Sequence, residues 1–331
     1  MRNIKRSLIA GALMVGTLAL SSSIQAATIL RLGWTTADSD VDPYAITAHY
    51  FAEELERMAP EEFDVRLFPN HQLGDDTEML QLMQLGGLDA GVITGTQISM
   101  LAPSFQLNDL PFLYASNEQA HAILDGEVGQ ALMQRLEPLG IVGLGFAEAG
   151  FRHTVNNTRP ITSPDDFHGI KLRVQPSDIY IASFRALEAN PVPLAWSEAF
   201  TAVQQGTVDG LEIPLSVIFS NRYPEATDYL SLTRHAYNAL GLLISKRTIN
   251  SLPEDMQEVV HEAATEAIRR QRKTMAANNE ALLEQIAQQD MKINDIEDVS
   301  AFRDKVMPVY DEYRDSIGGE LLDRALESAA E

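Results

Sequence analysis

Apolar positions along this chain follow two periods that take turns. Ile29–Gly33 reads as a short apolar strand, and Phe63–Leu67 alternates apolar and polar residues as a half-buried strand does. Between them Asp42-Pro43 has the form of an N-cap followed by proline at the first helical position. The helix it opens is predicted to run to about Met58, with Ile46, Tyr50, Leu55 and Met58 near one face. Gly74–Leu85 and Glu118–Leu136 carry the helical period; Ala90–Thr94 and Ile141–Ala147 are short apolar runs of strand type. The alternation restarts after Gly150. Ser163-Pro164-Asp165-Asp166 resembles a helix start, Gly169–Val174 a strand, Asp178–Leu187 and Ser197–Gln205 helices, the second ended by Gly206. Asp209-Gly210 turns into the strand Leu211–Ile213, and Tyr229–Thr233 and Leu240–Ser245 are two more strands. Ser251-Leu252-Pro253-Glu254 reads as a capping box with an early proline. The helical pattern beyond it reaches about Gln289 with no internal proline or glycine, about 55 Å at 1.5 Å per residue.

Strands alternating with helices predict an α/β protein whose open sheet is covered by helices. A helix of that length exceeds one small domain, so it is expected to lie across two α/β lobes. We expect residues 27–150 with about 239–280 to form one lobe, and 151–238 with about 281–331 the other. No Pro/Ser-rich spacer marks the boundary near Gly150, which favours hinge strands over independently tethered domains. A ligand would sit between the lobes, beyond the carboxyl ends of the strands.

The N-terminus adds a compartment. Arg2, Lys5 and Arg6 precede the apolar stretch Ser7–Leu20, and small residues follow up to Ala26-Ala27. That order is a secretory signal over residues 1–26, too short to be a comfortable membrane span. The leader holds three of the 25 basic residues and none of the 47 acidic ones, so the mature chain would carry a net charge of −25. Such a surface repels nucleic acid and anionic lipid. The chain has no cysteine, so an exported form would rest on core burial and not on disulfides.

The motifs of several enzyme classes are missing from the sequence. There is no G-x-S-x-G elbow, no thiol nucleophile and no H-E-x-x-H pair. Gly140, Gly143, Gly145 and Gly150 do not have the dinucleotide spacing. Asp38-x-Asp40-x-Asp42 opens like a calcium loop, then presents Pro43 where glycine is needed and His49 at the twelfth position. Neither a cofactor, nor a metal, nor an enzymatic activity is expected.

The segment Asp166–Pro214 carries the most information. It reads D-F-H-G-I-K-L-R-V-Q-P and then, from Ala186, A-L-E-A-N-P-V-P-L-A-W-S-E-A-F-T-A-V-Q-Q-G-T-V-D-G-L-E-I-P. This resembles the binding proteins of tripartite ATP-independent periplasmic (TRAP) transporters, the DctP-like family, whose pattern is close to G-x-K-I-R-V-P, A-L-G-A-N-P-T-P-M and S-E-V-Y-x-A-L-Q-x-G-x-V-D-G-x-E-N-P. The likeness extends to Leu73-Gly74-Asp75-Asp76, Leu110-Pro111-Phe112, Phe151-Arg152-His153 and Ser251-Leu252-Pro253. The resemblance implies a periplasmic-binding-protein-like fold and capture of a small-molecule ligand for membrane permease subunits. Uptake would be driven by an ion gradient, with a monomeric protein in the periplasm.

Alternation in Gly169–Gln175 puts Lys171, Arg173 and Gln175 on one face, with Arg173 at the strand's carboxyl end. A guanidinium there can grip a carboxylate with two charge-assisted hydrogen bonds. In the family the arginine of K-x-R-V does this, and Arg173 matches it; Arg152 matches an assisting arginine. Trp196, and Trp34 after the first strand, could cover a ligand's carbon skeleton. Thr35, Asp76 and Thr94 fall where some family members place polar contacts. The family's E-N-P reads Glu212-Ile213-Pro214 here, so an asparagine donor is replaced by isoleucine. That predicts a smaller, more apolar pocket than in binders of polyhydroxylated sugar acids. It also leaves a rival open: a small amine or zwitterion caged by tryptophan and an acid such as Glu212 or Glu148. A ligand-sensing module is a further alternative to uptake.

Overall fold

The computed structural model describes residues 27–330, so the predicted leader lies outside the described residues. Ten strands carry the architecture: β1 Thr28–Gly33, β2 Phe63–Phe68, β3 Ala90–Thr94, β4 Ile141–Asn156, β5 Lys171–Val174, β6 Asn190–Pro193, β7 Gly210–Pro214, β8 Tyr229–Leu232, β9 Tyr237–Ser245 and β10 Lys292–Asp295. In the first lobe they run in the order β2-β1-β3-β9-β4, with β1 parallel to β2 and β3, and β9 antiparallel to β3 and β4. In the second, β5 lies parallel to β6 and β7, while β4 runs antiparallel to β7 and β8. The fully buried runs β3 and β9 are near-continuous apolar stretches, as central strands covered on both faces must be.

One strand belongs to both sheets. Ile141–Phe151 pairs with β9, and Arg152–Asn156 pairs with β7. The sequence pattern ends this strand at Ala147, but it runs on to Asn156, 16 residues in all. The register slips between Glu148 and Gly150, where Gly150 takes φ +87° with open space around it. A bulge at this glycine lets the strand pass from one lobe to the other without ending.

The helix Pro43–Met58 starts as predicted, with Asp42 accepting from the Tyr44 and Ala45 amides. The expected helix Glu118–Leu136 is two helices, Asn117–Asp125 and Glu127–Gln134, because Gly126 adopts an extended backbone between them. The long helix runs Glu254–Ala287, 34 residues. Its predicted capping box does not form. Ser251 closes the preceding helix Lys246–Ser251, donating to Thr248 O at 2.7 Å, and Pro253 occupies the cap position. Val260, Ala263, Ala264 and Ala267 pack on Phe51 and Leu55 of the first lobe, whereas Ile286 packs with Leu211 and Leu230 of the second. Midway, the fully buried Gln271 pairs with the backbone of β4: its Nε2 donates to Glu148 O at 2.5 Å and its Oε1 accepts from Glu148 N at 3.2 Å. The shared helix is thus tied to the crossing strand two residues before the bulge at Gly150.

The chain's end departs from the expected division. Ser300–Val306 joins the second lobe through Phe302 and Val306. The helices Pro308–Ile317 and Gly319–Ala330 instead bury Val309, Ile317, Leu321 and Leu322 in the first-lobe core beside Leu124 and Leu132. Their apolar stripe requires a partner surface, but sequence order does not say which lobe provides it.

Candidate ligand-binding site

The carboxyl ends of β1, β3, β5 and β7 converge on one cavity between the lobes. It is lined from the first lobe by Thr35, Thr36, Tyr44, Asp76, Thr94 and Gln97, and from the second by Arg152, Arg173, Gln175, Trp196, Ile213, Pro214 and Val217, with Asn238 of β9. Seven of the nine residues singled out in the sequence line it. Two do not. Trp34 is fully buried in the first-lobe core with Phe51 and Leu240, edge-on to His49. Glu212 lies behind the cavity wall, bound to Arg152.

Antiparallel pairing of β4 with β7 sets that contact. Thr154 lies opposite Glu212 and Arg152 opposite Pro214, so Arg152 and Glu212 are diagonal neighbours on one face. Arg152 Nε and Nη2 grip the carboxylate, Nη2 also donates to Glu212 O at 2.6 Å, and Nη1 donates to Asn238 Oδ1. His235 Nε2 stands 3.1 Å from Glu212, with its Nδ1 2.8 Å from Thr233 Oγ1. Burial pushes the Glu212 carboxyl up, but the Arg152 charge and the His235 and Arg152 hydrogen bonds outweigh it and hold it at about 2. Burial also lowers His235, against the pull of Glu212. The expectation that Glu212 could meet a ligand cation is therefore corrected: its oxygens are taken by Arg152 and His235.

Arg173 is different. Only 2% exposed, it donates through Nε and Nη2 to Leu194 O at 3.1 and 2.7 Å. Its guanidinium carbon lies 5.7 Å from the Trp196 ring centroid. Among the described residues no carboxylate forms a salt bridge with it. Burial drives its pKa down, which is the expected response of a cation without an adjacent counterion. Facing it are buried polar atoms with no hydrogen-bond partner, Asp76 Oδ1 and Thr94 Oγ1. Unsatisfied buried groups around a cavity are the signature of a site completed by a polar guest. Ile213, Pro214 and Val217 make the opposing wall apolar.

Sequence reasoning missed Tyr44, Gln97, Gln175 and Asn238. Gln175 was within reach, since it shares Arg173's face; with its amide oxygen turned inward it accepts from Arg152 Nη1 at 3.0 Å. Asn238 comes from β9, opposite Gly150 of β4, and only the tertiary pairing brings it here. Outside the cavity, two serines of the second lobe donate to buried carboxylates of the first: Ser177 to Asp109 and Ser220 to Asp42, both at 2.9 Å. Burial pushes Asp42 up to about 6 and Asp109 up to about 7 against the hydroxyl groups that bond them.

A larger void of about 710 Å³ lies on the flank of the first lobe, between Asn117–Gln134, the Gly143–Phe146 part of β4 and the long helix. Its Arg272 is already held by both Asp125 oxygens, at 2.6 and 2.8 Å. It also lies away from the carboxyl ends of the strands, so the interlobe cavity is the better candidate.

These features match known proteins along nearly the whole chain. Residues 35–316 match the family described as DctP, bacterial extracellular solute-binding protein, family 7. The 2,3-diketo-L-gulonate-binding periplasmic protein YiaO of Escherichia coli is 32% identical over 299 residues, 90% of each chain. The C4-dicarboxylate-binding periplasmic protein DctP of Rhodobacter capsulatus is 32% identical, covering 85% of each. The sugar acid binding protein DctPAm of Advenella mimigardefordensis, solved in complex with galactonate, superposes with a TM-score of 0.88 at 32% identity, covering 92% of this chain and 98% of that one. The chain belongs to the DctP family of extracellular solute-binding proteins, the TRAP type, and is a binding protein and not an enzyme.

Proposed function

We propose that this protein captures a small organic acid by its carboxylate at Arg173 and hands it to the permease subunits of a TRAP transporter. The observation that carries the reading is the buried guanidinium without a counterion, at the carboxyl end of β5. An ionised carboxylate supplies the missing charge and accepts two hydrogen bonds from one planar fork. Water expelled as the lobes close strengthens that contact. The known relatives and structures named above bind a sugar acid, a diketo acid or a C4-dicarboxylate. We take the protein to be exported through its N-terminal leader and to act as a monomer in the periplasm.

The rival amine or zwitterion is less well supported. Its cage needs an acid beside a tryptophan, but Glu212 is bonded to Arg152, Trp34 is core, and Trp196 already faces the Arg173 cation. The test is a thermal-shift screen against organic acids, amines and osmolytes. Stabilisation by acids is the expected result. Stabilisation by amines alone would overturn the carboxylate while leaving the binding role intact.

A further inference from the structure

The interlobe cavity does not end at Arg173. Its free volume is about 40 Å³, room for roughly three waters. A second void of about 150 Å³ adjoins it and shares Thr35, Asp76, Gln97 and Trp196 with it. Asp76 and Trp196 therefore stand at the passage between an inner and an outer compartment. A carboxylate at Arg173 with only an atom or two behind it fills the inner space. Anything longer extends past Asp76 into the outer one.

The outer compartment has its own chemistry. Asp75 and Asp76 both line it, at the start of the helix Asp76–Leu85. Asp75 is committed as that helix's N-cap, accepting from the Glu78 amide at 2.9 Å. Asp76 is 8% exposed, and its Oδ1 has no partner. Burial and the neighbouring Asp75 push its carboxyl up to about 7, with Thr35 and Arg173 pulling the other way. His71 also lines this space, and its buried Nδ1 has no partner. Burial lowers its pKa and favours the neutral imidazole. Two carboxylates repel a second anionic group, while an unpartnered carboxylate oxygen calls for a hydrogen-bond donor.

Resting on the Arg173 reading, we infer that the site selects a short, linear monocarboxylate whose tail carries hydroxyl donors, with Asp76 and His71 as the distal subsite, and rejects a dicarboxylate of the same length. The carboxylate enters first and is held at Arg173. The tail passes Trp196 with its carbon face toward Ile213 and Val217, and its hydroxyls turn to Asp76.

Calorimetry at pH 8, where Asp76 is ionised, tests this with three probes: glycolate, D-erythronate and succinate. Erythronate should bind at least ten-fold tighter than either of the others. Asp76→Asn should bring erythronate and succinate within about three-fold of each other. His71→Ala should weaken erythronate several-fold and leave glycolate unchanged. Succinate binding as tightly as erythronate, or glycolate matching it, would overturn the distal subsite while leaving the Arg173 anchor standing. Binding of none of the three, with amines bound instead, would remove the anchor and this inference together.

Discussion

The two buried arginines of the cleft sit side by side and do opposite things. Arg152 is fully engaged: Glu212 neutralises it, Asn238 takes a third N–H, and His235 braces the acid from behind. Arg173 has one backbone carbonyl and an aromatic face, and no acid. Both come from the same residue type and from strand positions with similar patterning. The comparison teaches that a buried cation's role follows from its counterion. Where the fold supplies one, the cation is scaffold; where it does not, the cation is left available for a guest, the role we propose for Arg173. The contrast also explains why both pKa directions are physical, with Arg152 raised by the Glu212 charge despite burial and Arg173 lowered by burial.

Separate removal of the acid on one side and the cation on the other should break this comparison most clearly. Glu212→Ala leaves Arg152 buried without its charge partner, which costs about 3–5 kcal/mol. Its unfolding midpoint in urea should fall accordingly, and the variant should bind poorly because the wall of the cavity is disturbed. Arg173→Ala should behave in the reverse way. Without ligand its stability should fall by no more than about 1–3 kcal/mol, the cost of leaving the Leu194 carbonyl without its donors. Binding of an acid should fall by about 2–5 kcal/mol, roughly 30- to several-thousand-fold. Arg173→Lys should also bind weakly, because an ammonium cannot reproduce the fork. A stability loss in Arg173→Ala equal to that in Glu212→Ala would show that both arginines are scaffold.

A third experiment extends the contrast to carboxylates without cations. Asp109 is buried with only the Thr96 and Ser177 hydroxyls as donors, and lies at about 7. A folded-state pKa above the unfolded value of about 3.9 adds stability that is complete below pH 4 and lost as pH rises through 7. Asp109 alone should therefore cost the parent about 1–3 kcal/mol between pH 5 and pH 8.5. Asp109→Asn should flatten that slope, leaving the part due to Asp42 and Asp76, which burial also raises. Thermal unfolding across this range measures it. An unchanged slope in the variant would show that Asp109 stays ionised in the fold.

Much of this is legible in the sequence because local rules and the fold agree. Proline after Asp42, glycine after Gln205 and the alternation around Arg173 each fixed an element or a facing. The failures share one cause. Gly126 and Gly150 look alike as breakers, yet one ends a helix and the other lets a strand pass through a bulge. Which outcome follows depends on partners far away in the chain. The pairing of Glu212 with Arg152, rather than Arg173, likewise follows from the register of β4 on β7. So does the arrival of Asn238 beside Arg152, and no local pattern in the sequence encodes it.

The smallest expected effect concerns the apolar wall. Ile213 is 2% exposed and follows Glu212 on β7, so its side chain points to the opposite face of that strand from Glu212. It stands where the E-N-P pattern that the sequence resembles has asparagine, and it lines the inner compartment with Pro214 and Val217. An isoleucine offers a hydroxyl nothing, and a hydroxyl pressed against it would stay unpaired at a cost of about 1–3 kcal/mol. Ligands whose hydroxyls must face Ile213, or with a ring too wide for the passage at Trp196, should therefore bind worse than linear acids whose hydroxyls can all turn to Asp76. Ile213→Asn should shift preference toward galacturonate over glycolate by about 1 kcal/mol, roughly five-fold. The gain is small because the new amide must also be desolvated, and its second polar atom needs a partner of its own. Competition calorimetry on parent and variant reads the ratio directly. Tight galacturonate binding by the parent would sink the apolar-wall argument, because the hydroxyls would then be satisfied without any donor at position 213.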